Sequence, residues 1–158
     1  LLLFNFADPL VNSIKGDPRY LGFHKIIYQK DSVTEIIPKK KSLLGAATVA
    51  TYTARLLNFI NEKKPYLDPD LSLRSLAEKI DIHPNQLSWL LNESMGKNFN
   101  EFINHYRVEA FKLLSKDPSN KHLTLISLAY ESGFNSKTVF NNYFKKETRL
   151  MPKEFLKD

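Results

Sequence analysis

Residues 128–144 read LAYESGFNSKTVFNNYF, and residues 76–91 read LAEKIDIHPNQLSWLL. The two stretches share one plan. A Leu-Ala pair ends a short amphipathic run, a tight turn follows, and a second amphipathic run begins about eight residues later. Ala77 corresponds to Ala129, Asp81 to Gly133 and Ile82 to Phe134. After one inserted residue in the later copy, Leu87 corresponds to Phe140 and Leu91 to Phe144. Each small alanine lets the first helix approach its partner closely, and Ile82 or Phe134 plugs the space between the helices. Gly133 can take a positive φ without steric cost, and Asp81 is among the better non-glycine choices for the same place. Each copy therefore predicts a helix-turn-helix. A lone match of this kind also arises in purely structural bundles, whereas two in series with a stiff helix between them are far more specific.

Working outward, local signals bound the helices. From 46 to about 63, Val49, Tyr52, Thr53, Leu56, Leu57, Phe59 and Ile60 recur at helical spacing, and Pro65 stops the run. Ser72 is a good N-cap for a helix over 73–80, and Pro84 suits the first position of a helix reaching about Met95, where Gly96 ends it. Asn98 can cap a long helix over 99–115, with Phe99, Phe102, Ile103, Tyr106, Ala110, Leu113 and Leu114 on its apolar side. Asp117-Pro118-Ser119-Asn120 is a turn. Thr124 caps a helix over 125–132, Ser136 caps one that continues to about Glu147, and Met151-Pro152 opens a last short helix ending near Leu156. No strand pattern occurs after residue 45. The expected fold is all-α: two helix-turn-helix subdomains (72–95 and 125–147) joined by a long linker helix (99–115), about seven helices within residues 46–158.

Residues 1–45 read differently. Asp8-Pro9, Gly16-Asp17-Pro18 and Pro38 punctuate short apolar pieces, which predicts an irregular, partly helical segment. Lys39-Lys40-Lys41 reads first as a solvated linker and second as a basic arm. The chain begins without Met, and it is expected to be part of a longer protein.

Composition bounds the function. The 158 residues contain no cysteine, which excludes disulfides, thiolate metal sites and a Cys nucleophile. No apolar run approaches the roughly 18 residues of a membrane span, so no membrane contact is expected from this segment. The net charge of +6 is unevenly distributed. Residues 46–96 hold five Lys/Arg against six Asp/Glu, and residues 97–158 hold eleven against seven. A polyanion partner would thus be drawn more strongly to the second unit. There is no Gly-rich phosphate loop, and no Ser/His/acid grouping stands out. His24, His83, His105 and His122 share no metal-ligand spacing, and His83 reads as an N-cap or surface residue. Neither an enzyme, a metal nor a cofactor is expected.

Residues 46–158 resemble the C-terminal DNA-binding domain of the AraC/XylS family of bacterial transcription regulators. The resemblance rests on Leu76-Ala77, Leu87-Ser88, the linker motif Phe102-Ile103-Asn104-His105-Tyr106-Arg107-Val108-Glu109-Ala110, Leu113-Leu114, and Ala129 with Gly133-Phe134-Asn135-Ser136-Lys137, Phe140 and Phe144-Lys145-Lys146. Two positions depart from the pattern: Arg149 stands where a Gly is usual, and Met151 where a Thr is frequent. Residues 1–30 bear a weaker resemblance, through Leu3-Phe4, Asp8-Pro9-Leu10, Ile14 and Asp17-Pro18-Arg19-Tyr20, to the segment that follows tetratricopeptide-type repeats in some bacterial signalling proteins. That resemblance implies a sensory region ahead of Leu1.

The family resemblance implies that the second helix of each unit lies in a major groove of double-stranded DNA. Its base-contacting positions map to Asn85, Ser88 and Trp89 in the first unit and to Lys137, Thr138 and Asn142 in the second, with Asn141 and Gln86 adjoining. The chemistry is suitable: Asn pairs with adenine, Lys donates to guanine, and the Thr methyl meets that of thymine. Trp89 has two readings, a packing aromatic or a contact to DNA sugars and thymine methyls. Leu87, Leu90 and Leu91 already fill the inward positions, which favours the second. Phosphate candidates are Lys97, Ser136, Lys145 and Lys146. Arg107 reads first as a structural residue bonded to a carboxylate or carbonyl and second as a phosphate clamp.

A linker of about 17 residues spans about 25 Å, a strut able to hold two recognition helices in successive groove segments about 34 Å apart. The resemblance further implies a cytoplasmic, nucleoid-associated regulator, with RNA polymerase as a candidate partner and homodimerisation of the full-length protein. The rival reading is a helical docking module, which would show apolar anchors where Asn85, Ser88, Lys137, Thr138 and Asn142 stand.

Overall fold

Helix α1, Ala46–Lys63, ends where Lys64 turns left-handed (φ 47°) and the chain tightens into a 3-10 turn over Pro65–Leu67. The computed structural model describes residues 44–156, so the readings of the irregular N-terminal segment and of Lys39-Lys40-Lys41 lie outside the described residues. Six further α-helices follow: α2 Leu73–Lys79, α3 Pro84–Trp89, α4 Phe99–Lys116, α5 Leu125–Glu131, α6 Lys137–Thr148 and α7 Pro152–Phe155. No strand occurs among the described residues.

Caps set most of these boundaries. The hydroxyl of Ser72 accepts the Ser75 N–H at 3.1 Å, and that of Thr124 accepts the Ser127 N–H at 3.1 Å. Asn98 Oδ1 accepts from the Glu101 N–H at 2.9 Å, while Glu101 Oε2 accepts the Asn98 N–H at 3.2 Å. Such reciprocal pairs satisfy donors that a helix start leaves open. One boundary differs from expectation. α3 is α-helical for six residues only and then widens into a π-turn over Leu90–Ser94 before Gly96 (φ +63°) stops it. The Asn92 amide donates to the Ser88 carbonyl at 2.8 Å just where the helix widens.

The linker helix α4 has 18 residues, about 27 Å of rise. Its apolar residues do not form the single stripe expected. Phe102, Ile103, Tyr106 and Ala110 are buried, but so are Val108 and Phe111, together with Asn104, His105 and Arg107; Leu113 is instead exposed. The reason is that α4 packs against the Pro65–Leu67 turn as well as against α5 and α6, so its middle is covered on opposite faces. Tyr106 stacks on Tyr66 at 5.5 Å between ring centroids. Val108 and Phe111 join Leu128, Ala129, Phe134, Phe140 and Phe144 in the core of the second unit. There Phe111 meets Phe140 at 4.7 Å and Phe144 edge-on at 5.3 Å, and Phe134 meets Phe140 at 5.2 Å.

Candidate nucleic-acid interface

Both turn glycine-type positions take the left-handed region, Asp81 at φ 54° and Gly133 at φ 90°. In each turn the plug residue's N–H reaches back to the alanine carbonyl, Ile82 to Ala77 at 3.0 Å and Phe134 to Ala129 at 3.1 Å. Ala77, Ala129, Ile82 and Phe134 are all buried. The repeat seen in sequence is therefore a repeat of backbone geometry.

The turns aim α3 and α6. In α6, Ser136 accepts the Val139 N–H at 3.4 Å as N-cap, and Phe140 and Phe144 hold the inner face. On the outer face Lys137, Thr138, Asn142 and Lys145 are exposed, with Asn141 half-buried. In α3, Leu87 is buried while Asn85 is exposed and Gln86, Ser88 and Trp89 are half-buried. The first turn of α3 is closed by its own side chains: His83 Nδ1 accepts the Asn85 N–H at 3.2 Å, and Gln86 Oε1 accepts the His83 N–H at 3.1 Å. Gln86 is thus a cap first.

The phosphate candidates separate. Arg107 takes the first of its two readings, a structural residue bonded to carbonyls, and not the second as a phosphate clamp: it is 8% exposed, its Nε donates to the Tyr66 carbonyl at 2.8 Å, and its Nη2 donates to the Asp68 carbonyl at 2.8 Å. A third donation reaches Asn104 Oδ1 at 3.3 Å, and the guanidinium lies 5.9 Å from the centroid of the Phe134 ring. Burial pulls its pKa below the usual arginine value, with Asp68 opposing the shift. A side chain held in this way has no reach to a phosphate outside. Lys146 is exposed but donates to Glu101 Oε1 at 2.6 Å, a bond that lowers the Glu101 pKa and raises that of Lys146. Lys97 is half-buried and also acts electrostatically on Glu101. Lys145 is exposed and makes no ion pair among the described residues.

Two arginines outside the expected site set stand out. Arg55 Nη1 donates to the carbonyls of Ile80 and Asp81, each at 3.1 Å, and so ties α1 to the end of α2 at the first turn. Nothing in the sequence signals a bond across 25 residues. Arg149 takes a left-handed conformation (φ 66°, ψ 0°) that glycine adopts without steric cost, and with Asn142, Lys145 and Lys146 it lines an open groove of about 320 Å³. Its departure from pattern was the available signal.

Comparison with known proteins gives a consistent picture. A family model described as a helix-turn-helix domain matches residues 76–158. An uncharacterised HTH-type transcriptional regulator of Staphylococcus aureus (strain COL) is 35% identical over 89 residues, 56% of this chain and 12% of that protein. The uncharacterised HTH-type transcriptional regulator YijO of Escherichia coli (strain K12) is 34% identical over 85 residues, 54% of this chain and 29% of that protein. The match thus spans less than a third of the length of each of these curated relatives. Among solved structures, the C-terminal domain of the two-component response regulator yesN from Fusobacterium nucleatum superposes with a TM-score of 0.55 at 26% identity, covering 67% of this chain and 98% of that one.

Proposed function

The chain belongs to the AraC-type helix-turn-helix family, and from that premise we propose that residues 46–158 bind double-stranded DNA in a sequence-specific manner. In this reading α3 and α6 enter two successive major-groove segments, and the domain is the output end of a bacterial transcription regulator acting at the nucleoid. The observation that carries it is the outer face of α6. Lys137, Thr138, Asn142 and Lys145 stand exposed there over a phenylalanine core, and Val139 is the one large apolar residue of α6 more than a third exposed. A docking helix would present apolar anchors at those positions. Exposed Asn85, with half-buried Ser88 and Trp89, supports the same role for α3.

Selection of bound sequences from a random duplex pool, at stated salt, tests the proposal. Two short blocks about one helical turn apart support both units. A single block would limit base recognition to one unit, and no enrichment would refute the reading. Lys137→Ala is expected to weaken binding to the selected site by about 1–3 kcal/mol and to relax preference at one base position. Unchanged affinity and preference across a base-substituted series would remove Lys137 from the recognition set.

Phosphate attraction is expected to come from Lys145 ahead of Lys146. Lys145→Ala should reduce the slope of log affinity against log salt by about 0.9, and Lys146→Ala by less, because Glu101 already holds that ammonium. Equal slopes for both variants would show that Glu101 releases Lys146 on binding. We extend the proposal to contact with RNA polymerase and to homodimerisation of a longer protein, which polymerase-recruitment and sedimentation assays address. No described helix is long and apolar enough to cross a membrane.

A further inference from the structure

α6 ends on a residue that local preference disfavours. Arg149 sits at φ 66°, where the Cβ of an L-residue crowds its own backbone and glycine does not. The turn itself has a plain purpose: the Arg149 N–H donates to the Lys145 carbonyl at 2.9 Å and closes the helix. Glycine would close it equally well. What arginine adds is its side chain, exposed and without an ion-pair partner among the described residues.

That side chain has defined company. Asn142, Lys145, Lys146 and Arg149 line one open groove, with no carboxylate among them. Lys146 is drawn to Glu101, which leaves Lys145 and Arg149 as the cations free to serve the groove. The two are four residues apart and continue the exposed line Thr138, Asn142, Lys145 along α6. The bland alternative is that cations gather here to offset the negative end of the helix dipole. Lys145 and Lys146 already occupy the last turn for that purpose, and neither requires a left-handed backbone.

We propose that Asn142, Lys145 and Arg149 form a binding site for one phosphodiester group of the DNA backbone strand that borders the groove entered by α6. The guanidinium fork takes two phosphate oxygens, the Lys145 ammonium supplies a point charge, and the Asn142 amide donates at the rim. The inference rests on the DNA-binding reading above and adds to it the place where α6 is anchored at its far end.

The test uses the whole chain and the duplex chosen by random-pool selection, with Arg149→Gly, Arg149→Ala and Arg149→Lys. Removing the side chain with glycine also relieves the backbone, so stability and binding should move in opposite directions. For Arg149→Gly the urea midpoint should hold or rise. Its salt slope should fall by about 0.9, so that the affinity lost between 50 and 200 mM salt shrinks about threefold to fourfold. The ranking of base-substituted sites should not change. Arg149→Ala should lose the same slope without the gain in midpoint, and Arg149→Lys should keep most of the slope. Parental slope and affinity in Arg149→Gly would overturn the site while leaving the DNA reading intact. A fall in its midpoint would assign Arg149 to the helix end instead. Failure of the parent chain to bind any duplex would overturn both.

Discussion

Gly133→Val is expected to unfold the second helix-turn-helix, with a loss of about 3–5 kcal/mol that combines left-handed strain with overpacking. Two independent costs act at this position. At φ 90° a β-branched residue is far outside its allowed regions. A Cβ there would also fall on the Tyr66 carbonyl oxygen and come within 2.9 Å of Leu67 Cα. Both are backbone atoms, and neither can yield by changing rotamer. A loss of that size is a large share of the roughly 5–15 kcal/mol that holds a domain together. Gly133→Ala separates the costs, since its Cβ meets the same atoms without branching, and it should already lose most of the stability. Urea unfolding followed by far-UV circular dichroism measures both variants. An unchanged midpoint for either would mean that the turn does not pack on the Tyr66–Leu67 backbone.

The second large effect is expected at Arg107, which serves the same place from the other side. Its guanidinium donates to the carbonyls of Tyr66 and Asp68 and lies against the Phe134 ring. Arg107→Met keeps much of the length and apolar stem but withdraws the charged donors. It should cost about 2–4 kcal/mol, since hydrogen bonds from a charged group contribute about 1.5–3 kcal/mol each and partial replacement by water offsets some of that. A second readout distinguishes this role from a phosphate clamp. Measured below the melting transition, Arg107→Met should retain the parental salt slope for DNA, because the native side chain is enclosed. A slope reduced by about one unit, with stability unaltered, would restore the phosphate assignment.

Taken together, the two positions explain how the halves of the chain meet. The Pro65–Leu67 turn belongs to the connection between α1 and α2, yet Gly133 of the second unit rests on it and Arg107 of the linker donates to it. Orientation of α6 relative to the first unit is therefore set by a contact between backbones as well as by the length of α4.

Much of this was legible in the residues because the signals are local. Ser72, Asn98, Thr124 and Ser136 each bond the N–H three residues onward, so a cap and its partner lie within four letters of each other. Gly96 and Gly133 announce positive φ for the same reason. The π-turn after Trp89 was not legible, since Leu90 and Leu91 fit an α-helix equally well by periodicity. Of the positions read as outward, Asn85, Lys137, Thr138 and Asn142 are exposed, whereas Gln86, Ser88, Trp89 and Asn141 are half-buried. Arg107 reads first as bonded to a carboxylate or carbonyl, but neither its partner nor the engagement of Lys146 was legible. Lys146 meets Glu101 across 45 residues and Arg107 meets Tyr66 across 41.

The sequence by itself determined the helices, their order and the two repeated turns, because capping, backbone preference and hydrophobic period act over three or four residues. Only the tertiary structure decided which faces of α4 are buried, that Arg107 is an internal clamp, and that Lys146 answers to Glu101 while Lys145 and Arg149 face outward. Those outcomes depend on how helices far apart in the chain are brought side by side. At such contacts burial and geometry, which a string of residue types does not encode locally, choose among partners of similar chemistry.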